Sequence, residues 1–256
     1  MDIKGKVQLY KGDCLEIMKD IPDKSVDMIL CDLPYGITDC KWDRAIPFDK
    51  LWEQYERIIK DNGVIVLFGS EPFSSSLRMS NLKLYKYDWI WKKTKPTGFS
   101  HSKNMPLKDY ENVCVFSKGS IGHINLLGKD RRMIYNPQGV KECNRKIKRN
   151  TKGFEGTMER KSQVNEYIGK LTNFPKMVIE YSNIIMGTLH PTQKPVELLE
   201  YLIKTYTNEC ETVLDNCMGS GSTGIACLKT NRNFIGIEKD GKYFDVAYNR
   251  INEFIR

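Results

Sequence analysis

VDMILCDLPYG, Val26 to Gly36, is an apolar run that closes on a carboxylate, a proline and an aromatic ring. Val26, Met28, Ile29 and Leu30 give it the composition of a strand buried on both faces. Such strands lie inside parallel sheets, and open α/β sheets bind ligands outside the carboxyl ends of their strands. The pattern predicts Asp32 as a fixed acceptor at that edge, with Tyr35 beside it as a flat stacking face. Pro34 restricts Leu33 to extended geometry and so holds its carbonyl in place. An ordinary strand-to-loop turn has the same composition, and the surrounding chain decides between the two.

Outward from this stretch, strand and helix signals alternate. Val7 to Tyr10 reads as a strand and Cys14 to Asp20 as a short helix. Phe48 to Lys60, after Pro47, spaces Leu51, Tyr55, Ile58 and Ile59 along one helical face, and Asp61-Asn62-Gly63 is the expected stop. Val64 to Phe68, Trp89 to Trp91 and Val113 to Phe116 read as further strands. The last two are separated by KKTKPTGFSHSKNMPLKD, expected to be a long loop that covers a ligand, with Phe99 anchoring it. Trp89 and Trp91 alternate and are expected in the core or its rim. Patterning resumes at His190: Pro195 is expected as the first helical residue, with Leu199, Leu202, Ile203 and Tyr206 on one face. Thr212 to Leu214 is a short strand ending at Asp215, followed by a helix from about Thr223 to Lys229, a strand at Phe234 to Ile237 and a helix at Tyr243 to Phe254. This order predicts an α/β fold with a parallel sheet covered on both faces.

Composition narrows the class. A chain of 256 residues with 40% hydrophobic content can fold as one α/β domain with an insertion or as two small domains, and one main core is expected. It holds no run of about 18 apolar residues. Its N-terminus, MDIKGKVQLY, lacks the basic-then-apolar layout of an export signal, so the expectation is a soluble cytoplasmic protein without a membrane partner. Eight cysteines without a C-x-x-C pair point to reduced core thiols, and three histidines without ligand spacing argue against a metal. Most of the net charge of +8 lies in residues 119–188, which carry 13 Lys and Arg against 6 Asp and Glu. That segment has weak periodicity and reads as an inserted region facing an anionic polymer, with nucleic acid the preferred partner over a merely solvated face.

A second motif lies between strand and helix at Asp215 to Gly224, DNCMGSGSTG. Its small residues let a ligand approach the backbone, the helix start offers free N–H groups, and Glu238, closing the next strand, suits a ribose diol. Gly219, Gly221 and Gly224 also match a dinucleotide fingerprint, but only about 30 residues follow, too few for a second mononucleotide-binding half.

Both motifs together resemble the β-class S-adenosylmethionine-dependent DNA amino-methyltransferases, whose D-P-P-Y motif precedes the recognition region and whose glycine-rich motif comes last. DLPYG at Asp32 to Gly36, HPTQKP at His190 to Pro195, and DNCMGSGSTG with GIE at Gly236 to Glu238 carry the resemblance. GDCLE at Gly12 to Glu16 and ENVCVFSKG at Glu111 to Gly119 extend it. It implies a Rossmann-like methyltransferase fold with a mostly parallel, circularly permuted sheet. Residues 1–118 would form the catalytic half, 119–188 the inserted basic target-recognition region, and 189–256 the cofactor-binding half. The implied activity is transfer of a methyl group from S-adenosylmethionine to N6 of a flipped adenine in double-stranded DNA. N4 of cytosine is the alternative, and a non-catalytic DNA-binding protein with a relic pocket the alternative of another class. Asp32, Leu33, Pro34 and Tyr35 carry the catalytic motif. The cofactor set maps to Asp13, Thr192, Lys194, Asp215, Cys217, Gly219, Ser220, Gly221, Ser222, Thr223 and Glu238, with no metal. Asp13 also suits a helix N-cap, Lys194 a surface charge, and His190 a structural hydrogen bond. A homodimer and a cognate restriction enzyme are compatible with the family, as is a solitary enzyme. Two departures stand out: Leu33 replaces the first proline of D-P-P-Y, and Asn216 and Cys217 replace the usual Pro-Phe pair, removing an aromatic ring that packs near the cofactor in the family.

Overall fold

The computed structural model describes residues 2–3, 5–36, 45–122, 131–148, 166–183 and 193–256. His190 and Thr192 lie outside them. The described residues form two compact units, one of Met1–Asn136 with Met177–Arg256 and one of Pro137–Lys176.

The larger unit is built on a nine-stranded sheet in the order β1-β2-β11-β10-β3-β4-β6-β5-β9. In chain order these are β1 (Asp2–Ile3), β2 (Val7–Lys11), β3 (Val26–Cys31), β4 (Ile59–Gly69), β5 (Tyr85–Thr97), β6 (Lys108–Ser117), β9 (Val178–Tyr181), β10 (Thr212–Asp215) and β11 (Asn233–Glu238). Strands β2, β11, β10, β3 and β4 run parallel, β6 is antiparallel to β4 and β5, and β1 is antiparallel to β2. The connection from β3 runs one way to β4 and that from β10 the other way to β11, so the topology switches between β10 and β3.

Alternating strand residues feed two cores, one on each face. Helices α4 (Val196–Tyr206), α5 (Ser222–Lys229) and α6 (Gly241–Ile255) lay Leu199, Leu202, Ile225, Ala247 and Ile251 against Met28, Leu30, Val66 and Val113. On the opposite face α1 (Cys14–Ile17), α2 (Phe48–Ile58) and α3 (Phe73–Ser80) pack Cys14, Leu51, Tyr55, Ile58 and Leu77 on Ile29, Cys31, Ile65 and Phe116. Trp89 and Trp91 both face the first core, where their indole N–H groups donate to the Tyr206 hydroxyl and, at 3.0 Å, to the Tyr181 carbonyl. No helix among the described residues is long and apolar enough to cross a membrane.

Three local expectations change. Helix α2 stops at Ile58, and Asp61-Asn62-Gly63 lies inside β4 instead of ending the helix. The extra residues are absorbed as an irregularity, since Val26 pairs with Ile59 but Met28 with Val64. The expected loop at 92–109 is shorter than its composition suggests: β5 runs to Thr97 and β6 starts at Lys108, leaving residues 98–107 as the connection, in which Phe99 is 65% exposed instead of serving as an anchor. Pro195 caps α4 from the preceding position, with ψ of 132°, instead of opening it.

Residues 119–188 divide. Ser120 bridges Arg132, and β9 joins the edge of the main sheet beside β5, so both ends of this stretch belong to the larger unit. The smaller unit is an antiparallel pair, β7 (Lys141–Lys148) with β8 (Glu166–Thr172), which exposes Lys141, Arg145, Lys146 and Lys170.

At the bulge of β4, a Cβ on Gly63 would lie 2.8 Å from the Asp27 carbonyl and 2.9 Å from the Ile59 side chain. Gly63→Ala is expected to lower stability by about 1–3 kcal/mol, read as a lower denaturant midpoint at unchanged m-value.

Candidate active site

The carboxyl ends of β3 and β10 open into a cleft of about 810 Å3. Asp32, one residue beyond β3, and Asp215, the last of β10, enter it from adjacent strands. Crevices of this size at a topological switch are where α/β sheets hold small ligands.

On the β3 side, the Tyr35 hydroxyl donates to Asp32 Oδ1 at 2.9 Å and Lys194 Nζ lies 2.5 Å from Asp32 Oδ2. Burial raises the Asp32 pKa and the charge of Glu111 adds to the rise, while Lys194 opposes both. Burial next to Asp32 keeps the Tyr35 phenol protonated well above its ordinary range. The Tyr35 ring stacks on Phe73, with centroids 4.6 Å apart, so its plane is fixed. Leu33 buries its side chain in the core beneath α2, among residues such as Leu51 and Cys31, which accounts for an aliphatic residue at this position.

On the β10 side, Asp215 is buried beneath the glycine bend. Its Oδ1 accepts the Cys217 N–H at 3.1 Å and its Oδ2 the Thr223 hydroxyl at 2.6 Å. Burial pushes its pKa up to about 6 despite both donors. Gly221, at φ +77°, turns the chain into α5, and a Cβ there would lie 3.1 Å from Ala247. Arg250 of α6 donates to the Ser220 carbonyl at 3.1 Å and the Ser222 hydroxyl at 3.0 Å, fixing the bend from behind. Glu238 closes β11, accepting the Gly219 and Asp240 N–H groups, each at 2.8 Å. Asp13 does what its N-cap reading predicts, accepting the Leu15 N–H at 3.0 Å, and it also lines the cleft while pairing with Lys239. Cys217 lines the cleft, and its sulfur accepts the Asn216 side-chain N–H at 3.6 Å. Neighbouring Asn216 accepts the buried Tyr55 hydroxyl.

Thus Asp13, Asp32 to Tyr35, Asp215, Cys217, Gly219, Ser220, Ser222, Thr223 and Glu238 all line one cleft, with Gly221 behind it. Lys194 lines it too, but its ammonium is paired with Asp32 and Glu111, away from the glycine bend where a cofactor ligand was expected. Glu111 and Lys93 had no assigned role in the sequence. The available signal was Glu111 opening the ENVCVFSKG strand opposite a lysine-rich neighbour.

A doubly covered sheet with an acceptor and aromatic ring at one strand end and a nucleoside-type bend at the next defines a group-transfer enzyme of the Rossmann-like class. The family model described as DNA methylase, covering the N6 and N4 methyltransferases, matches residues 26–249, and the chain belongs to that family. It is 28% identical to the type II methyltransferase M.HinfI of Haemophilus influenzae across 96% of this chain and 68% of that protein. The type II methyltransferase M2.LlaDCHI of Lactococcus lactis subsp. cremoris is 26% identical across 98% of this chain and 91% of its own length. Among solved structures, M1.HpyAVI in its S-adenosylmethionine complex superposes with a TM-score of 0.62 at 26% identity, covering 95% of this chain and 99% of that one. The PvuII cytosine-N4 methyltransferase, at 14% identity and a TM-score of 0.62, shares the fold.

Asp215 gives a pH-dependent stability. The folded protein holds its proton to about pH 6 while the unfolded chain releases it near 3.8, so the buried charge destabilises the fold above pH 6 and this penalty fades as pH falls toward 4. Asp215→Asn is expected to stabilise the ligand-free protein at pH 8 by up to ~3 kcal/mol, with the difference from the parent shrinking between pH 6 and 4 in denaturant titrations.

Proposed function

We propose that this chain transfers a methyl group from S-adenosylmethionine to the exocyclic N6 of an adenine flipped out of duplex DNA. The observation that carries this reading is the meeting of Asp32 and Tyr35 with Asp215, Glu238 and the glycine bend in one cleft. The donor set suits the cofactor: buried carboxylates with lone pairs left over stand beside Gly219, which lines the cleft without a side chain. Asp215 and the bend from Gly219 to Gly221 would hold the methionine end, Glu238 the ribose hydroxyls and Asp13 the adenine end. When bound, the cofactor supplies an electrophilic methyl group on a sulfonium.

The nucleophile needs help, because the lone pair of adenine's amine is delocalised into the ring. Asp32 and the Leu33 carbonyl each accept one amine hydrogen, favouring a tetrahedral nitrogen with its lone pair aimed at the methyl group. Tyr35 stacks on the base, and its ring is already held in plane by Phe73. Fixed acceptors and orientation supply most of the acceleration. The amine proton leaves as the methyl arrives, with Asp32 or solvent as acceptor. Flipping costs a few kcal/mol, which stacking on Tyr35, worth ~1–3 kcal/mol, offsets in part. Adenine is preferred over cytosine because the motif begins with a carboxylate, where cytosine-directed relatives more often carry serine.

Incubation with unmethylated genomic DNA and labelled cofactor, followed by nucleoside mass spectrometry, is expected to yield N6-methyladenine, and Asp32→Ala to reduce it by at least ~100-fold. N4-methylcytosine would overturn the base assignment. Absence of any transfer by the parent protein would favour the relic DNA-binding reading.

The exposed Lys141, Arg145, Lys146 and Lys170 of the smaller unit suit phosphate contacts. Replacing all four with Gln is expected to reduce the slope of log K against log salt for duplex DNA by roughly 3–4. An unchanged slope would place the phosphate contacts elsewhere.

A further inference from the structure

Behind Asp32 runs a buried row of alternating charges. Lys93 Nζ lies 2.7 Å from Glu111 Oε1, Glu111 Oε2 lies 3.4 Å from Lys194 Nζ, and Lys194 Nζ lies 2.5 Å from Asp32 Oδ2. The members come from β5, β6, the segment entering α4 and the end of β3. Aromatic rings wall it: the Lys194 ammonium is 5.1 Å from the Phe68 centroid and that of Lys93 is 5.4 Å from Trp91.

We propose that Lys194 is a positioning residue for methyl transfer, holding the Asp32 carboxylate ionised and oriented toward the amine, while Glu111 and Lys93 hold Lys194 in place. The assignment rests on the methyl-transfer reading of the cleft. A cofactor-carboxylate role fits the geometry less well, because two anions already flank the Lys194 ammonium and leave no uncompensated charge for a third.

The groups around Asp32 explain why a cation is needed. Glu111 on β6 and Asp215 on β10 bring negative charge toward it, and Cys31 on β3 and Tyr35 beside it are neutral in the folded state. Without Lys194, Asp32 and Glu111 would confront each other in a poorly solvated cleft with Lys93 alone to balance them. Buried carboxylates in that situation share a proton. A proton on Asp32 removes the acceptor that the amine requires. Asp32 nonetheless stays available when paired, since each carboxylate oxygen has two lone pairs and each is shown with a single donor.

Three variants and two readouts independent of transfer test this. Asp32 is followed by 13C NMR of aspartate-labelled protein, assigned with Asp32→Asn, and binding of S-adenosylhomocysteine is measured by calorimetry. Lys194→Met is expected to raise the Asp32 titration midpoint by about one pH unit or more. S-adenosylhomocysteine affinity should stay within about threefold, and the acid limb of the kcat profile should move up with the midpoint. Lys194→Arg should restore both midpoint and limb. Glu111→Gln should lower the midpoint, because it removes an anion and leaves Lys194 to Asp32 alone, and this variant keeps the test open if Lys194→Met fails to fold. An unmoved midpoint in Lys194→Met, or in Glu111→Gln, overturns the proposal. So does an affinity loss of tenfold or more without a midpoint shift, which would return Lys194 to the cofactor. Should the parent protein transfer no methyl group, the functional reading fails, and the NMR midpoints still decide whether the charge row controls Asp32.

Discussion

The structure depends on a single reversal of direction in a parallel sheet. Between β10 and β3 the connections part to opposite sides. Two residues that would be unremarkable in isolation, an aspartate after β3 and an aspartate at the end of β10, become neighbours in one crevice for that reason. Register makes the placement strict. Val213 opposes Met28 and Leu214 opposes Ile29, and a one-residue slip would turn each strand's buried set toward the wrong helix layer.

The crevice concentrates acceptors, and the fold handles each one differently. Asp215 leans on a hydroxyl and a backbone N–H, Glu238 on two backbone N–H groups, and Asp32 on a phenol and an ammonium. Among the described residues only the last has a counter-charge within bonding distance, and it is the carboxylate to which the proposed reaction gives the amine hydrogens. Burial raises the pKa of all three, so the ligand-free cleft is a place of stored electrostatic cost, typical of sites kept for binding instead of stability.

Most of this was legible in the chain because its strongest signals are local. Strand runs, the glycine bend and the carboxylates that end β10 and β11 are written in consecutive residues, and their order identified the architecture. The failures share a cause as well. Asp61-Asn62-Gly63 has the composition of a stop, but β3 offered it a pairing partner and the strand absorbed it. The lysine-rich stretch after Trp91 looks like a loop because alternation fades, yet β6 extends it as strand. The resemblance places Lys194, within HPTQKP, beside the cofactor, and its ion pairs are invisible at that level: Asp32 and Glu111 lie 162 and 83 positions away, and no local pattern announces them.

That separation bears on how the protein is made. Asp27 of β3 accepts the Thr212 N–H across 185 positions, and β2 waits still longer for β11. While the chain leaves the ribosome, β3 has β4 on one side and an open, apolar edge on the other, until β10 emerges. Unpaired parallel edges of this kind attract other chains. The same gap that brings Asp32 and Asp215 together only in the finished sheet therefore leaves the edge of β3 unpaired until the last quarter of the chain is made.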